Sequence, residues 1–100
     1  MVMTILEARV SKENWGLLEG AFQKAAQFTD AGLVRTFLIQ SAKEEELWRI
    51  LTVWESQEAL NAMRNSGEIP RGVLIFRESK AEPALSVFRI AQEIKPDGGG

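Results

Sequence analysis

The run Trp54-Glu55-Ser56-Gln57-Glu58-Ala59-Leu60 marks a point where a strand ends and a helix begins. Apolar and polar residues mix at strand period up to Trp54. Ser56 then stands as a helix N-cap, and Glu58 places negative charge in the first turn, where the helix dipole favours it. The junction fixes the order of elements, two strands before it and a helix after it. Residues 33–40 and 47–55 are the strand-like runs. The polar stretch Ser41-Ala42-Lys43-Glu44-Glu45-Glu46 between them predicts a hairpin with a longer loop.

The flanking segments complete the order. Val2, Thr4, Leu6, Ala8 and Val10 alternate with Met3, Ile5, Glu7 and Arg9, the period of a strand. Ser11 follows as an N-cap, and Trp15, Leu18, Phe22, Ala25 and Ala26 then form one helical stripe that ends at Thr29-Asp30-Ala31-Gly32. Residues 57–65 predict the second helix, with Leu60 and Met63 on its apolar side and Asn65-Ser66-Gly67 as its stop. Residues 70–78 have two readings. Pro70 at a first helical position, with Val73, Phe76 and Arg77 behind it, suits a short helix, and this is the reading adopted. Val73-Leu74-Ile75-Phe76 equally suits a strand. Residues 84–93 predict the last strand. Residues 95–100 are expected to be a disordered tail, leaving one domain over 1–94. The order strand, helix, strand, strand, helix, strand describes a ferredoxin-like α+β sandwich (βαββαβ) with an antiparallel sheet.

The hairpin also argues for a homodimer. With Phe37 placed opposite Ile50, one face carries Leu33, Arg35, Phe37, Ile39, Trp48, Ile50, Thr52 and Trp54. The other carries Val34, Thr36, Leu38, Leu47, Arg49, Leu51 and Val53. Both faces are mostly apolar, whereas an antiparallel sheet with one wet face alternates cleanly. Helices cover one face only. A second subunit is expected on the other, because a monomer rarely exposes that much apolar surface.

Composition narrows the chemistry. The chain has 12 Lys+Arg against 14 Asp+Glu, a net charge of −2, which argues against nucleic acid or an anionic membrane as partner. It has no Cys, so disulfides and thiolate metal sites are excluded, and neither His nor Tyr, which removes the commonest metal ligand and general base. No metal or other cofactor is expected. No signal peptide or membrane-spanning run is read, so a cytoplasmic protein is expected.

Over residues 3–93 the chain resembles the antibiotic biosynthesis monooxygenase superfamily of dimeric α+β barrels. The residues that carry the resemblance are Trp54-Glu55-Ser56-Gln57-Glu58-Ala59-Leu60, the late Phe76-Arg77, and Pro83 before the last strand. The resemblance implies two ferredoxin-like subunits packed sheet against sheet, with a small-molecule pocket in each between sheet and helices. Members of the superfamily include cofactor-free oxygenases acting on polycyclic phenols and quinols, haem-degrading enzymes, and many proteins without a known reaction. The haem-degrading branch is similar least. Its proximal His would fall near Val73 and its helical Trp near Met63, and its strand-one Asn would lie among Met3, Ile5 and Glu7. Haem is therefore not expected. The cofactor-free branch often presents His, Tyr, Asn, Trp and Arg, of which this chain keeps only Trp, Arg and Asn.

Cofactor-free oxygenation needs an electron-rich aromatic, deprotonated and held as an anion in a dry pocket. Arg35 and Arg49 are the candidates to hold that anion, and Glu7 is the candidate base. Glu7 could equally pair with Arg9, two residues along on the same face, and each arginine could equally be an interface or strand-edge cation. Trp15, Phe22, Phe37, Trp48, Trp54 and Met63 are the candidates to line the pocket for a small apolar or aromatic molecule, core packing being the other role open to them. Gly16 and Gly20, each costing about 1 kcal/mol against Ala in a helix, invite a close approach or room for a ligand. The expected function is thus that of a monooxygenase-like protein. The alternatives are a non-catalytic ligand-binding or purely structural dimer, or an isomerase or decarboxylase on the same fold.

Overall fold

The N-terminal alternation produces strand β1, Val2–Arg9, in which Val2, Thr4, Leu6 and Ala8 are buried and Met3, Ile5, Glu7 and Arg9 turn to the opposite side. The computed structural model describes residues 1–97 of the chain. A 3-10 turn, Lys12–Asn14, leads into helix α1, Trp15–Ala25. Strands β2, Leu33–Gln40, and β3, Leu47–Trp54, form the hairpin. Helix α2 is Gln57–Asn65, helix α3 is Arg71–Glu78, and strand β4 is Ala84–Arg89. The sheet runs β2-β3-β1-β4 with every neighbouring pair antiparallel, a ferredoxin-like α+β fold.

Local chemistry explains most boundaries. The Ser56 hydroxyl accepts the Ala59 N–H at 3.1 Å and starts α2 where the sequence places it. Ser11 sits at the cap of the 3-10 turn, but its side chain makes no capping bond. Residues 71–78 are helical. The Pro70 carbonyl accepts the Val73 and Leu74 N–H groups, and Ile75 and Phe76 turn into the core. The last strand ends at Arg89 rather than 93, because β1 offers no further partner: Arg89 pairs with Val2, and the Ile90 N–H reaches the Met1 carbonyl. The tail expected at 95–100 extends into 98–100, which lie outside the described residues.

The hairpin register differs from the expected one. Phe37 lies opposite Leu51, not Ile50, and the pairing slips between Leu33 and Arg35, where Val34 is the extra residue of a bulge. The loop sets this register. The Ser41 hydroxyl accepts the Lys43 and Glu44 N–H groups, the Ser41 N–H donates to the Leu47 carbonyl, and the Leu47 N–H donates to Glu44. A one-residue slip exchanges the two faces of a strand. Thr36 and Leu38 therefore share the helix-covered face with Trp48, Ile50, Thr52 and Trp54. Arg35, Phe37 and Ile39 share the outer face with Leu47, Arg49, Leu51 and Val53. Both faces remain apolar.

The helices bury the inner face in two separate clusters. The larger joins Leu6, Ala8, Val10, Trp48 and Ile50 to Leu18 and Ala21 of α1 and to Ile75 and Phe76 of α3. The smaller joins Val2 and Trp54 to Leu60 of α2. Gly16 and Gly20 serve no close approach, since a Cβ at either would meet nothing within 4 Å. No described helix is long and apolar enough to cross a membrane.

Candidate functional site

Between the inner sheet face and the helices lies a cavity of about 460 Å³, within the usual range of small-molecule sites, roughly 300–1,000 Å³. Its floor is the sheet: Thr4 and Leu6 of β1, Thr36 of β2, and Ile50, Thr52 and Trp54 of β3. Phe22 and Ala25 of α1, Leu60 and Met63 of α2, and Val73 and Ile75 of α3 supply the walls. The loop residues Phe28, Asp30 and Ile69 and the first residue of α3, Arg71, line it as well. The cavity exists because the two core clusters do not meet. The α1–α3 pair packs toward one end of the sheet and α2 toward the other.

The floor is polar in one row. Thr36 and Thr52 are directly opposite in the β2–β3 register, with their hydroxyl oxygens 3.1 Å apart. Thr4 is opposite Thr52 in the β1–β3 register, and its hydroxyl accepts the Trp54 indole N–H at 3.4 Å. In the loop region the Arg71 guanidinium lies 3.5 Å from the Asp30 carboxylate and 5.1 Å above the Phe28 ring, tying the α1–β2 loop to the start of α3. Gly72 sits close over the sheet, since a Cβ there would stand 2.5 Å from Leu6 Cδ1.

Three of the residues expected to line a pocket do so: Phe22, Trp54 and Met63. Trp15 and Trp48 instead meet edge to face in the larger core cluster, their centroids 5.7 Å apart, and the Trp15 indole N–H donates to the Val10 carbonyl. Phe37 is on the outer face, 44% exposed. Glu7, Arg35 and Arg49 are on that outer face too, across the sheet from the cavity. Glu7 pairs with Arg49 at 2.6 Å, directly opposite it in register, and Arg9 pairs with Glu44 at 2.8 Å rather than with Glu7. Cross-strand neighbours are closer than same-face residues two apart on one strand. Thr4, Thr36 and Thr52, and Arg71 with Asp30, line the cavity without a local sequence signal that marks them. The threonines were discoverable only from the true register, because the assumed one put Thr36 and Thr52 on opposite faces.

A surface ion pair stands away from the cavity. The Arg77 guanidinium hydrogen-bonds Glu82, holding its carboxyl below the usual range and raising the arginine. Among the described residues, no three His, Cys, Asp or Glu side chains cluster as a metal site.

A ferredoxin-like α+β subunit with a cavity between sheet and helices defines the class. The family follows from the sequence: residues 1–73 match the antibiotic biosynthesis monooxygenase family, and the chain belongs to it. No curated protein matches the sequence. Among solved structures, the chain is similar to SnoaB, a cofactor-independent oxygenase from Streptomyces nogalater, at 17% identity and a TM-score of 0.69, over 95% of this chain and 97% of that one. It is similar also to MhuD, a haem degrader from Mycobacterium tuberculosis seen with two haems in its active site, at 24% identity and a TM-score of 0.69, over 95% of this chain and 100% of that one. At these identities the likeness is one of fold.

Proposed function

We propose that the protein is a cytoplasmic, cofactor-independent, monooxygenase-like homodimer whose substrate is a small aromatic or quinol-type compound bound in the cavity. The observation that carries this reading is the cavity itself: apolar walls that include Phe22, a floor that carries Trp54 and three hydroxyls, and Arg64 and Arg71 in its lining. An anthrone-type substrate would lose a proton and react as its anion with oxygen. One oxygen atom enters the ring carbon as a carbonyl and the other leaves as water with the two hydrogens of that carbon. The chain's part is to exclude water and to hold the anion. Arg64 and Arg71 both line the cavity and are the candidates for that second task, Arg71 with the Asp30 carboxylate 3.5 Å from its guanidinium.

Haem fits this cavity poorly. The chain has no His to stand where the resemblance puts a proximal ligand, near Val73. The absence of His and Tyr also supports a second reading, in which the same cavity binds its ligand without turnover. In both readings the outer face, with Met3, Ile5, Phe37, Ile39, Leu51, Val53 and Phe88, meets a second copy, and Glu7, Arg35 and Arg49 lie at that interface.

Oxygen consumption by chelator-treated protein with hydroquinones, anthrones and naphthols separates the two. Turnover that survives the chelator is the expected result. Binding without oxygen uptake across the panel would leave only the second reading.

A further inference from the structure

We infer that Thr4, Thr36 and Thr52 form a specificity-determining row on the cavity floor, selecting an aromatic ligand that presents a carbonyl-type acceptor oxygen over the matching hydrocarbon. The inference rests on the cavity being the ligand site.

The three residues stand side by side on three neighbouring strands, from the edge strand β2 inward to β1, on the helix-covered face. Valine has the same branched shape and a strong strand preference. A hydroxyl there instead of a methyl is costly unless it is hydrogen-bonded. The inventory of protons shows what is left over. Each hydroxyl carries one proton and two lone pairs. One proton is shared between Thr36 and Thr52, and Thr4 acts as acceptor toward Trp54. The Thr4 proton and one proton of the Thr36–Thr52 pair are donated to no other described group. Trp54 fixes the direction of this surplus, because its indole N–H occupies a lone pair of Thr4 and leaves the Thr4 proton to seek an acceptor elsewhere. The neighbouring floor residues Leu6 and Ile50 offer only carbon. A ligand oxygen without its own proton, as in a quinone or aryl ketone, meets donors here while its ring lies among Phe22, Leu60 and Met63.

Equilibrium dialysis of the whole protein with 1,4-naphthoquinone, 1-tetralone, naphthalene and tetralin tests this. The absence of Cys removes thiol addition to the quinone. A neutral hydrogen bond is worth about two- to tenfold in affinity. Each carbonyl compound should therefore bind at least about fivefold tighter than its hydrocarbon. The preference should vanish in Thr4→Val/Thr36→Val/Thr52→Val with hydrocarbon affinity retained. In wild type the carbonyl stretch of bound 1-tetralone should move to lower frequency than in hexane, a reading that needs no variant to fold. Equal affinity for ketone and hydrocarbon, or an unshifted stretch, overturns the threonine row while the cavity stands as a binding site. Failure of all four compounds to bind overturns the cavity reading and this inference with it.

Discussion

Gly32 shows how much one residue can be required to do. Its φ of +83° lies where L side chains are strained, and its carbonyl accepts the Glu55 N–H at 2.8 Å, joining the entry of β2 to the exit of β3. A Cβ there would overlap the Ala59 Cβ on α2. Neither atom belongs to a flexible chain end, so the strain cannot be relieved by a rotamer change. Gly32→Ala is expected to cost about 2–4 kcal/mol, the sum of a left-handed backbone and an overpacked contact. The urea midpoint of the variant measures it, and an unchanged midpoint would mean that α2 is free to move away. Gly72 presents the opposite case. The atom it crowds is the mobile end of Leu6, so an added methyl there displaces a side chain rather than a helix.

At the scale of elements, what was legible in the sequence was what local chemistry decides. The α2 start was readable because one hydroxyl, three residues from the amide it caps, specifies it without reference to the rest of the fold. The helical reading of 70–78 rests on Pro70 at a first helical position, and the proline stands one residue earlier, as the N-cap of α3. The strand faces were not readable from period alone, since the period fixes alternation but not which set faces inward. Val34 bulges, and the Ser41 loop closes one position later than assumed. That offset moved Phe37 to the outer face and brought Thr36 beside Thr52. The ion pairs followed the same logic: Glu7 found Arg49 across the strands, not Arg9 along its own. Phe22 and Met63 line the cavity because they lie on the helix stripes that face the sheet, and Trp54 because it shares the inner face of β3 with Ile50 and Thr52. The charged candidates depended on the register and lie across the sheet.

The whole molecule has a sheet covered on one face only. Phe37, Ile39 and Phe88 are among its exposed large apolar residues, and they lie on the uncovered side beside Ile5, Leu51 and Val53. A second copy packed on this patch, as proposed above, would bury it. Light scattering after size exclusion at micromolar concentration is expected to give twice the 11.2 kDa chain mass. Leu51→Asp should return the monomer mass with the far-ultraviolet circular dichroism retained, because the carboxylate is tolerated in water and not between two sheets. The division of the core into two clusters bears on how the molecule breathes. With α2 held to the sheet by Leu60 against Val2 and Trp54, and by Ala59 and Met63 packed beside them, it is expected to open while α1 and α3 stay closed. An occupant of the cavity would touch both groups at once and act as a mortar between them. Backbone amides of α2 should then exchange with deuterium well before those of α1 in the empty protein, and the two rates should converge as the cavity is filled. Occupancy would be written in the cooperativity of the fold as well as at the site.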